Sequence, residues 1–323
     1  MTPREKFIVA LRGGQPPGRV PHFELVFYLT MEAFGRVHPL HRAFGQWDQM
    51  SRAEKDAQRR DMADLYVQQA RRYEQAGLLV HGVHGGWSHD YQGEMIALLE
   101  HIRRLSGDEL FLCVHGDATW SLPSGEKMTE FAEQLADRPG ELHDRAARRV
   151  DAALADARRY QAAAVLDGFA LCADYCFNTG PFLSPAMFDE FVTPYLARLT
   201  AGYRELGFFV IKHTDGNIMP ILDSLVSTGP HALHSLDPQG GVDIAEVKRR
   251  VGGKVCLIGN VSCAALDTGT DEEVIESARY ALRHGMPGGG YVFSTSNCVY
   301  TGMDLRRYDL ILDVWRKEGN YPD

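Results

Sequence analysis

The sequence has no excess of positive charge and no long apolar run. Its 323 residues carry 34 lysines and arginines against 43 aspartates and glutamates, which gives a net charge of −9. A nucleic-acid-binding surface needs a concentrated excess of Lys and Arg, so this balance argues against a nucleic-acid partner. A membrane-spanning helix needs roughly 20 consecutive apolar residues, and no stretch of the sequence approaches that length. We therefore expect neither a nucleic-acid-binding protein nor a membrane protein.

Cysteine is scarce as well. The six cysteines lie mostly inside apolar runs, and the amino terminus lacks the positively charged and then apolar pattern of an export signal. Both features are typical of a protein that keeps its thiols reduced. We expect a cytoplasmic location.

Short apolar runs alternate with amphipathic segments along the whole chain. The runs predict strands at 23–27, 78–83, 110–114, 164–169, 208–212, 232–236, 255–258 and 291–294, and the main helical patterns fall at 53–76, 91–105, 185–206, 272–283 and 305–317. Eight strands that alternate with helices are the number expected for a closed parallel barrel. The sequence thus predicts an α/β fold, a (β/α)8 TIM barrel that forms a single domain over residues 1–323, with a helical insertion around 121–161. A doubly wound open sheet is the alternative.

Several helix starts carry a hydroxyl residue that suits the cap position. Such a side chain accepts from the unpaired amides of the first turn, and a glutamate three residues later completes a capping box. The predicted caps are Thr2 with Glu5, Ser51 with Glu54, Ser184 before Pro185, and Thr270 with Glu273.

Polar residues just after the strands form the candidate site. In a parallel barrel the strand-to-helix loops emerge on one rim, so residues far apart in sequence converge there. The candidates are Glu24, His115, Asp117, Asp174, Tyr175, His213, Asp215, Asn217, Asn260, Asn297 and Cys298.

His213 and Asp215 give the strongest signal, because they end a hydrophobic strand two residues apart. Alternation along an extended chain points both side chains to the same side. Together they would hold a metal ion or act as a base with its orienting acid. The alternative is that they only cap the next helix.

Three other candidates leave two interpretations open. Cys298 ends the last strand, where its thiolate would bind zinc together with His213 or would simply pack as a small side chain. Asp174 and Tyr175 would bind or protonate a substrate, or belong to a turn. Glu24 lies in an apolar strand, where an unpaired charge is costly, so it requires either a functional or a structural partner.

Five stretches resemble the uroporphyrinogen decarboxylase superfamily in order and spacing over roughly residues 165–310. They are Ala173-Asp174-Tyr175 to Asn178-Thr-Gly180-Pro181, His213-Thr-Asp215-Gly-Asn217, Leu257-Ile-Gly259-Asn260, Gly269-Thr270 and Gly289-Gly290-Tyr-Val-Phe-Ser294. The resemblance implies a (β/α)8 barrel. It also implies either decarboxylation of uroporphyrinogen without a cofactor, or zinc-assisted methyl transfer that involves corrinoid (cobalamin) proteins or thiols.

The resemblance favours the methyltransferases of this superfamily. Its decarboxylases carry an arginine-rich loop after the first strand, whereas here Glu24-Leu-Val-Phe-Tyr28 is followed by no arginine before Arg36. A substrate with many carboxylates requires fixed cationic partners. The zinc site of the methyltransferases is His-x-Cys with a later Cys; His213 matches the first ligand and Cys298 the last, while Asp215 replaces the middle thiolate.

The resemblance therefore implies an enzyme, a zinc-assisted methyltransferase or demethylase. Its metal ligands would be His213, Asp215 and Cys298, its catalytic residues Asp215, Asp174, Tyr175 and Asn217, and its substrate-binding residues Glu24, His115, Asp117, Asn260 and Asn297. The expected partners are a small-molecule methyl donor and a separate corrinoid protein, since no second, cobalamin-binding domain is seen. The alternatives are a decarboxylase of uroporphyrinogen or a smaller acid, and a non-enzymatic protein that binds a tetrapyrrole or a corrinoid protein. The oligomeric state stays open, a homodimer included.

Overall fold

A computed structural model describes residues 1–82 and 90–322. Seven parallel strands form one sheet in the order β1-β2-β3-β6-β7-β8-β9, and β4 pairs with β5 in a separate hairpin. The strands are β1 Gly77–Leu79, β2 Phe111–His115, β3 Gly168–Leu171, β4 Cys176–Phe177, β5 Gly180–Pro181, β6 Phe209–His213, β7 Ala232–His234, β8 Cys256–Ile258 and β9 Tyr291–Val292.

The segment 22–27, called the barrel-closing segment below, joins the two edges of this sheet and closes it into a barrel. His22 forms parallel bridges to Gln75 on one side and to Phe293 on the other, and Phe27 bridges in parallel to the chain beyond β9. The closed barrel is therefore confirmed. The continuous strand predicted at 23–27 is wrong: the segment bonds to the last strand and the chain after it only near its two ends, through the Phe23 amide to Phe293 and through Val26 and Tyr28 to Val299.

Helices surround the barrel. They are α1 Pro3–Leu11, α2 Thr30–Phe34, α3 Arg52–Arg72, α4 Tyr91–Ser106, α5 Gly125–Asp137, α6 Pro139–Ala163, α7 Pro185–Phe191, α8 Thr193–Glu205, α9 Leu222–Ser227, α10 Ile244–Val251, α11 Cys263–Thr268, α12 Asp271–Gly285 and α13 Leu305–Glu318, with short 3-10 helices at Pro39–His41, Trp47–Gln49, Met219–Ile221 and Pro238–Gly240. Across the described residues, no helix combines the length and the apolar character needed to cross a bilayer.

The predicted helix caps are confirmed. Complete capping boxes form at Thr2, Ser51 and Thr270, and the Ser184 hydroxyl accepts from the first turn of α7. Helices α5 and α6 lie where the helical insertion is predicted; that they are an insertion stays a prediction.

Several predicted boundaries differ from the structure. The helix predicted at 53–76 ends at Arg72, and the strands predicted at 232–236 and 291–294 end at His234 and Val292. The helix predicted at 185–206 is two helices, since Pro194 cannot donate an amide hydrogen bond in the first turn of α8. The strand predicted at 164–169 begins later, at Gly168, because Ala164 ends α6 in the left-handed conformation. Strand β1 ends at Leu79, and Val83, the last residue of its predicted range, lies outside the described residues.

Alternation along the strands divides the core into two parts. On β6, Phe209 and Ile211 pack with the side chains that fill the barrel, whereas Val210 packs with the larger cluster between the barrel and the helices. The same alternation directs His213 into the barrel mouth and Lys212 toward the outer layer. The carboxyl end of β6 thus carries polar side chains on both faces.

Candidate metal and acid-base site

Asp174, His213 and Asp215 converge at the carboxyl end of the barrel. The Nε2 atom of His213 lies 3.6 Å from Oδ1 of Asp215 and 3.9 Å from Oδ1 of Asp174. Within the described part of the chain, these three residues form the one group of three or more His, Cys, Asp or Glu whose possible ligand atoms all lie within 4.8 Å of one another.

Backbone contacts bring the two loops of this group together. The amide of Asp215 donates to Oδ1 of Asp174 at 3.1 Å, and the amide of Tyr175 donates to Oγ1 of Thr214 at 3.1 Å. Gly216 turns the chain with a φ of 77°, and a Cβ atom there would lie 2.6 Å from the carbonyl oxygen of Phe177. Only glycine allows both this turn and this close approach.

A second histidine orients His213. The β6–β7 register pairs His213 with His234, and their Nδ1 atoms lie 2.8 Å apart. Burial lowers the pKa of both rings, that of His234 to about 3, so both are neutral at neutral pH. When His213 donates from Nδ1, its Nε2 lone pair faces the two carboxylates, as in histidines that bind a metal through Nε2.

Asp215 has one satisfied oxygen and one unsatisfied oxygen. Its Oδ2 accepts from Nδ2 of Asn297 at 2.5 Å, while its Oδ1 is buried without a hydrogen-bond partner. Burial, followed by the negative charge of Asp174, raises the pKa of Asp215 to about 7. The space between this oxygen and the imidazole of His213 therefore suits a proton or a cation.

The donor set of this group fits a divalent metal ion. One imidazole nitrogen and two carboxylates are ligands that zinc and other divalent transition metals accept. The group includes Asp174, which the resemblance did not assign as a ligand, and it does not include Cys298. Burial is the main cause that raises the pKa of the Cys298 thiol, and the charge of Asp215 adds to it. Metal binding by Cys298 stays a prediction.

His115 also reaches the barrel mouth, at the end of β2. Its Nε2 atom lies 2.8 Å from Nε2 of His81. Asn297 and His115 are thus the predicted substrate-binding residues that the structure brings to the same opening as His213.

The carboxylate of Glu24 lies outside the group of three, and one hydroxyl links it to His234: Oγ of Ser294 lies 3.4 Å from Oε2 of Glu24 and 3.4 Å from Nε2 of His234. It is fully buried beside His22, whose Nε2 lies 3.1 Å from Oε1, and Thr295 donates to Oε2 from its amide at 3.2 Å and its hydroxyl at 2.5 Å. The flanking residues Phe23 and Leu25 pack inside the barrel, so Glu24 faces the outer layer. Of the two kinds of partner that the sequence left open for Glu24, the structure shows structural ones; its role in substrate binding stays a prediction.

The other predicted residues also have protein partners. Oδ1 of Asn217 accepts from the amide of Met219, and Nδ2 of Asn260 donates to the carbonyl oxygen of Leu236. Asp117 and Tyr175 belong to a buried network around Lys212. The functional roles of these four residues stay predictions.

Three further residues of this region, His81, Lys212 and His234, are not among the candidates drawn from the sequence. His234 lies in the strand predicted at 232–236, two residues after Ala232, which packs inside the barrel. Alternation along the strand therefore directs the His234 side chain inward. Lys212 stands in the apolar run Phe-Phe-Val-Ile-Lys. A lysine is rarely buried without a partner, so its position in that run is the signal from which a buried charge pair can be inferred.

Comparisons with known proteins agree with this architecture. The family model of uroporphyrinogen decarboxylase (URO-D) matches residues 96–317. The uroporphyrinogen decarboxylase of Thioalkalivibrio sulfidiphilus is 30% identical over 154 residues, which cover 44% of this chain and 41% of that protein. That of Azotobacter vinelandii is 27% identical over 232 residues, covering 66% and 60%. The chain thus spans less than two thirds of the length of these curated relatives.

A solved structure of a methyltransferase from Methanosarcina mazei superposes with a TM-score of 0.72 at 16% identity, over 98% of this chain and 99% of that one. At this identity the similarity shows a shared fold. The family match covers more than half of the chain. The chain therefore belongs to the uroporphyrinogen decarboxylase family of enzymes.

Proposed function

We propose that this protein is a metal-assisted methyltransferase that moves a methyl group between a small methylated substrate and a corrinoid or thiol. The observation that carries the proposal is the convergence of Asp174, His213 and Asp215 at the barrel mouth. Enzymes with a parallel α/β barrel place their reactive groups at this end of the strands. The corrinoid would be carried by a separate protein.

Zinc is the metal that we propose for the three side chains. When bound, it would act as a Lewis acid on the atom that carries the methyl group, or lower the pKa of a thiol acceptor. His234 would hold the Nδ1 proton of His213, which keeps Nε2 available. Asn297 would orient the Asp215 carboxyl through Oδ2, which leaves Oδ1 to hold a proton or contact the ion.

Decarboxylation is the competing function, because the curated relatives carry that name. A polycarboxylate substrate needs cationic groups that are not already paired. Arg36, the first arginine after the barrel-closing segment, pairs with Asp61 at 2.6 Å and with Asp64 at 2.7 Å. Asp61 and Asp64 thus already pair with the arginine that follows most closely in the sequence the position of the decarboxylases' arginine-rich loop.

The test compares the two reactions in one preparation. The zinc-loaded protein is mixed with cob(I)alamin and a panel of methylated phenols, amines and thiols, and methylcobalamin is followed by its absorbance. We expect zinc-dependent methyl transfer that falls at least a hundredfold in His213→Ala, as for loss of a metal ligand. The control His284→Ala changes a histidine on α12 and keeps full activity.

The same samples are assayed for carbon dioxide release from uroporphyrinogen. Robust release that is independent of zinc and retained in His213→Ala, with no methyl transfer, would overturn the proposal in favour of a decarboxylase.

A further inference from the structure

A completely buried lysine lies directly behind the candidate site. Nζ of Lys212 donates to Oδ2 of Asp117 at 2.8 Å and to the carbonyl oxygens of Leu171 and Ala173 at 3.2 and 3.0 Å. The same atom lies 4.3 Å from the centre of the Tyr175 ring. The ammonium group thus contacts the chain immediately before and after Asp174.

Asp117 holds the same loop from the other side. Its Oδ2 accepts from the amide of Ala173 at 2.9 Å, and its Oδ1 accepts from the amide and hydroxyl of Thr119 at 2.8 and 2.6 Å. The Thr119 hydroxyl in turn lies 2.6 Å from the Tyr175 hydroxyl. Lys212 and Asp117 therefore fix residues 171–175 through both backbone and side-chain contacts.

A contribution to stability is a weak explanation for this pair. Removing two charges from water is costly, and a buried ion pair can often be replaced by apolar residues without loss of stability. The geometry offers another reason for it. Lys212 precedes His213 on β6, so one strand end holds the Asp174 loop on its outer face and presents the imidazole on its inner face.

We propose that Lys212 and Asp117 form a positioning pair that sets the distance between the Asp174 carboxylate and the side chains of His213 and Asp215. The inference rests on the proposed function, in which those three side chains hold the metal ion. Lys212 acts through the loop and contacts neither substrate nor metal.

The test uses Co2+ as a probe of the full-length protein. Co2+ absorbs according to the number and geometry of its ligands, so its visible spectrum reports whether Asp174 is in place. In Lys212→Met/Asp117→Leu, which removes both charges together, we expect Co2+ affinity to fall at least tenfold, as for outer partners of metal ligands, with a changed spectrum.

Two further variants separate positioning from folding. Thr119→Val removes one support of Asp117 and leaves the ion pair, so we expect a smaller loss of affinity in a protein that folds normally. Asp167→Asn breaks a different buried ion pair, with Arg4 and Arg103 both at 2.6 Å, just before β3 at the opposite end of the barrel. It should lower stability and leave the Co2+ spectrum unchanged.

The outcomes are distinct. If Lys212→Met/Asp117→Leu binds Co2+ with wild-type affinity and spectrum, the positioning role is overturned. If that double variant does not fold, wild-type Co2+ affinity of Thr119→Val overturns the role instead. Absence of Co2+ binding by the wild-type protein overturns the proposed function instead. Hydrogen exchange of the Asp215 amide, measured with EDTA present, then decides the positioning role, because this amide donates to Asp174. Faster exchange in the variants supports the role, and unchanged exchange overturns it.

Discussion

Replacing Asp215 with Asn removes a carboxyl whose pKa in the folded protein is about 7, raised from 3.8 by burial and by the charge of Asp174. At a pH between these two pKa values, the Asp215 carboxyl is ionised in the unfolded protein and protonated in the folded protein. Stability of the metal-free protein is therefore lost as the pH rises through this window. One pKa unit corresponds to about 1.4 kcal/mol, so the loss between pH 5 and pH 7 is about 2 kcal/mol after partial solvent screening.

Urea unfolding in the presence of EDTA at pH 5, 6, 7 and 8 measures this effect. Asp215→Asn lacks the titration, so we expect its stability relative to wild type to increase by about 2 kcal/mol from pH 5 to pH 7 and to level off above pH 7. The control Asp313→Asn changes an exposed aspartate on α13 and should give a pH profile parallel to wild type. Parallel profiles for Asp215→Asn and wild type would refute the reasoning about this site.

Three further substitutions test individual contacts. Asp215→Cys introduces a softer zinc ligand, so calorimetry should show at least tenfold tighter zinc binding; unchanged affinity would contradict a ligand role for this position. His234→Phe removes the Nδ1 partner of His213 and should weaken zinc binding by about 10- to 100-fold, whereas wild-type affinity would show that the histidine pair does not matter. Glu24→Gln should cost about 1–3 kcal/mol of stability, because a carboxyl oxygen that accepts buried hydrogen bonds from Thr295 is replaced, and should leave zinc affinity unchanged; weaker zinc binding would instead connect Glu24 with the site.

The barrel was predictable because its signal repeats. Eight apolar runs separated by amphipathic segments restrict the topology strongly, and capping chemistry adds the helix starts. The absence of a continuous strand at 23–27 was not predictable, because apolar character does not show whether a segment forms a full hydrogen-bond ladder or only isolated bridges. The early end of α6 depends on the left-handed conformation of Ala164, which its side chain does not signal.

The site was predictable in part for the same reason. The spacing of His213 and Asp215 gives their common direction, and the rim of a parallel barrel accounts for Asp174. Which side chains approach within ligand distance of one another depends on the geometry of the loops. Here the loop geometry brings Asp174 to His213 and Asp215, and Cys298 does not belong to the group. Phe23 and Leu25 pack inside the barrel. Because side chains alternate along an extended chain, Glu24 between them faces outward.

The most direct test of the account is anomalous diffraction at the zinc absorption edge from crystals grown with zinc. We predict one strong peak per chain, within ligand distance of Nε2 of His213 and of a carboxylate oxygen from each of Asp174 and Asp215. A peak on His213 and Cys298 that leaves both carboxylates free, or no peak at the barrel mouth, would contradict it.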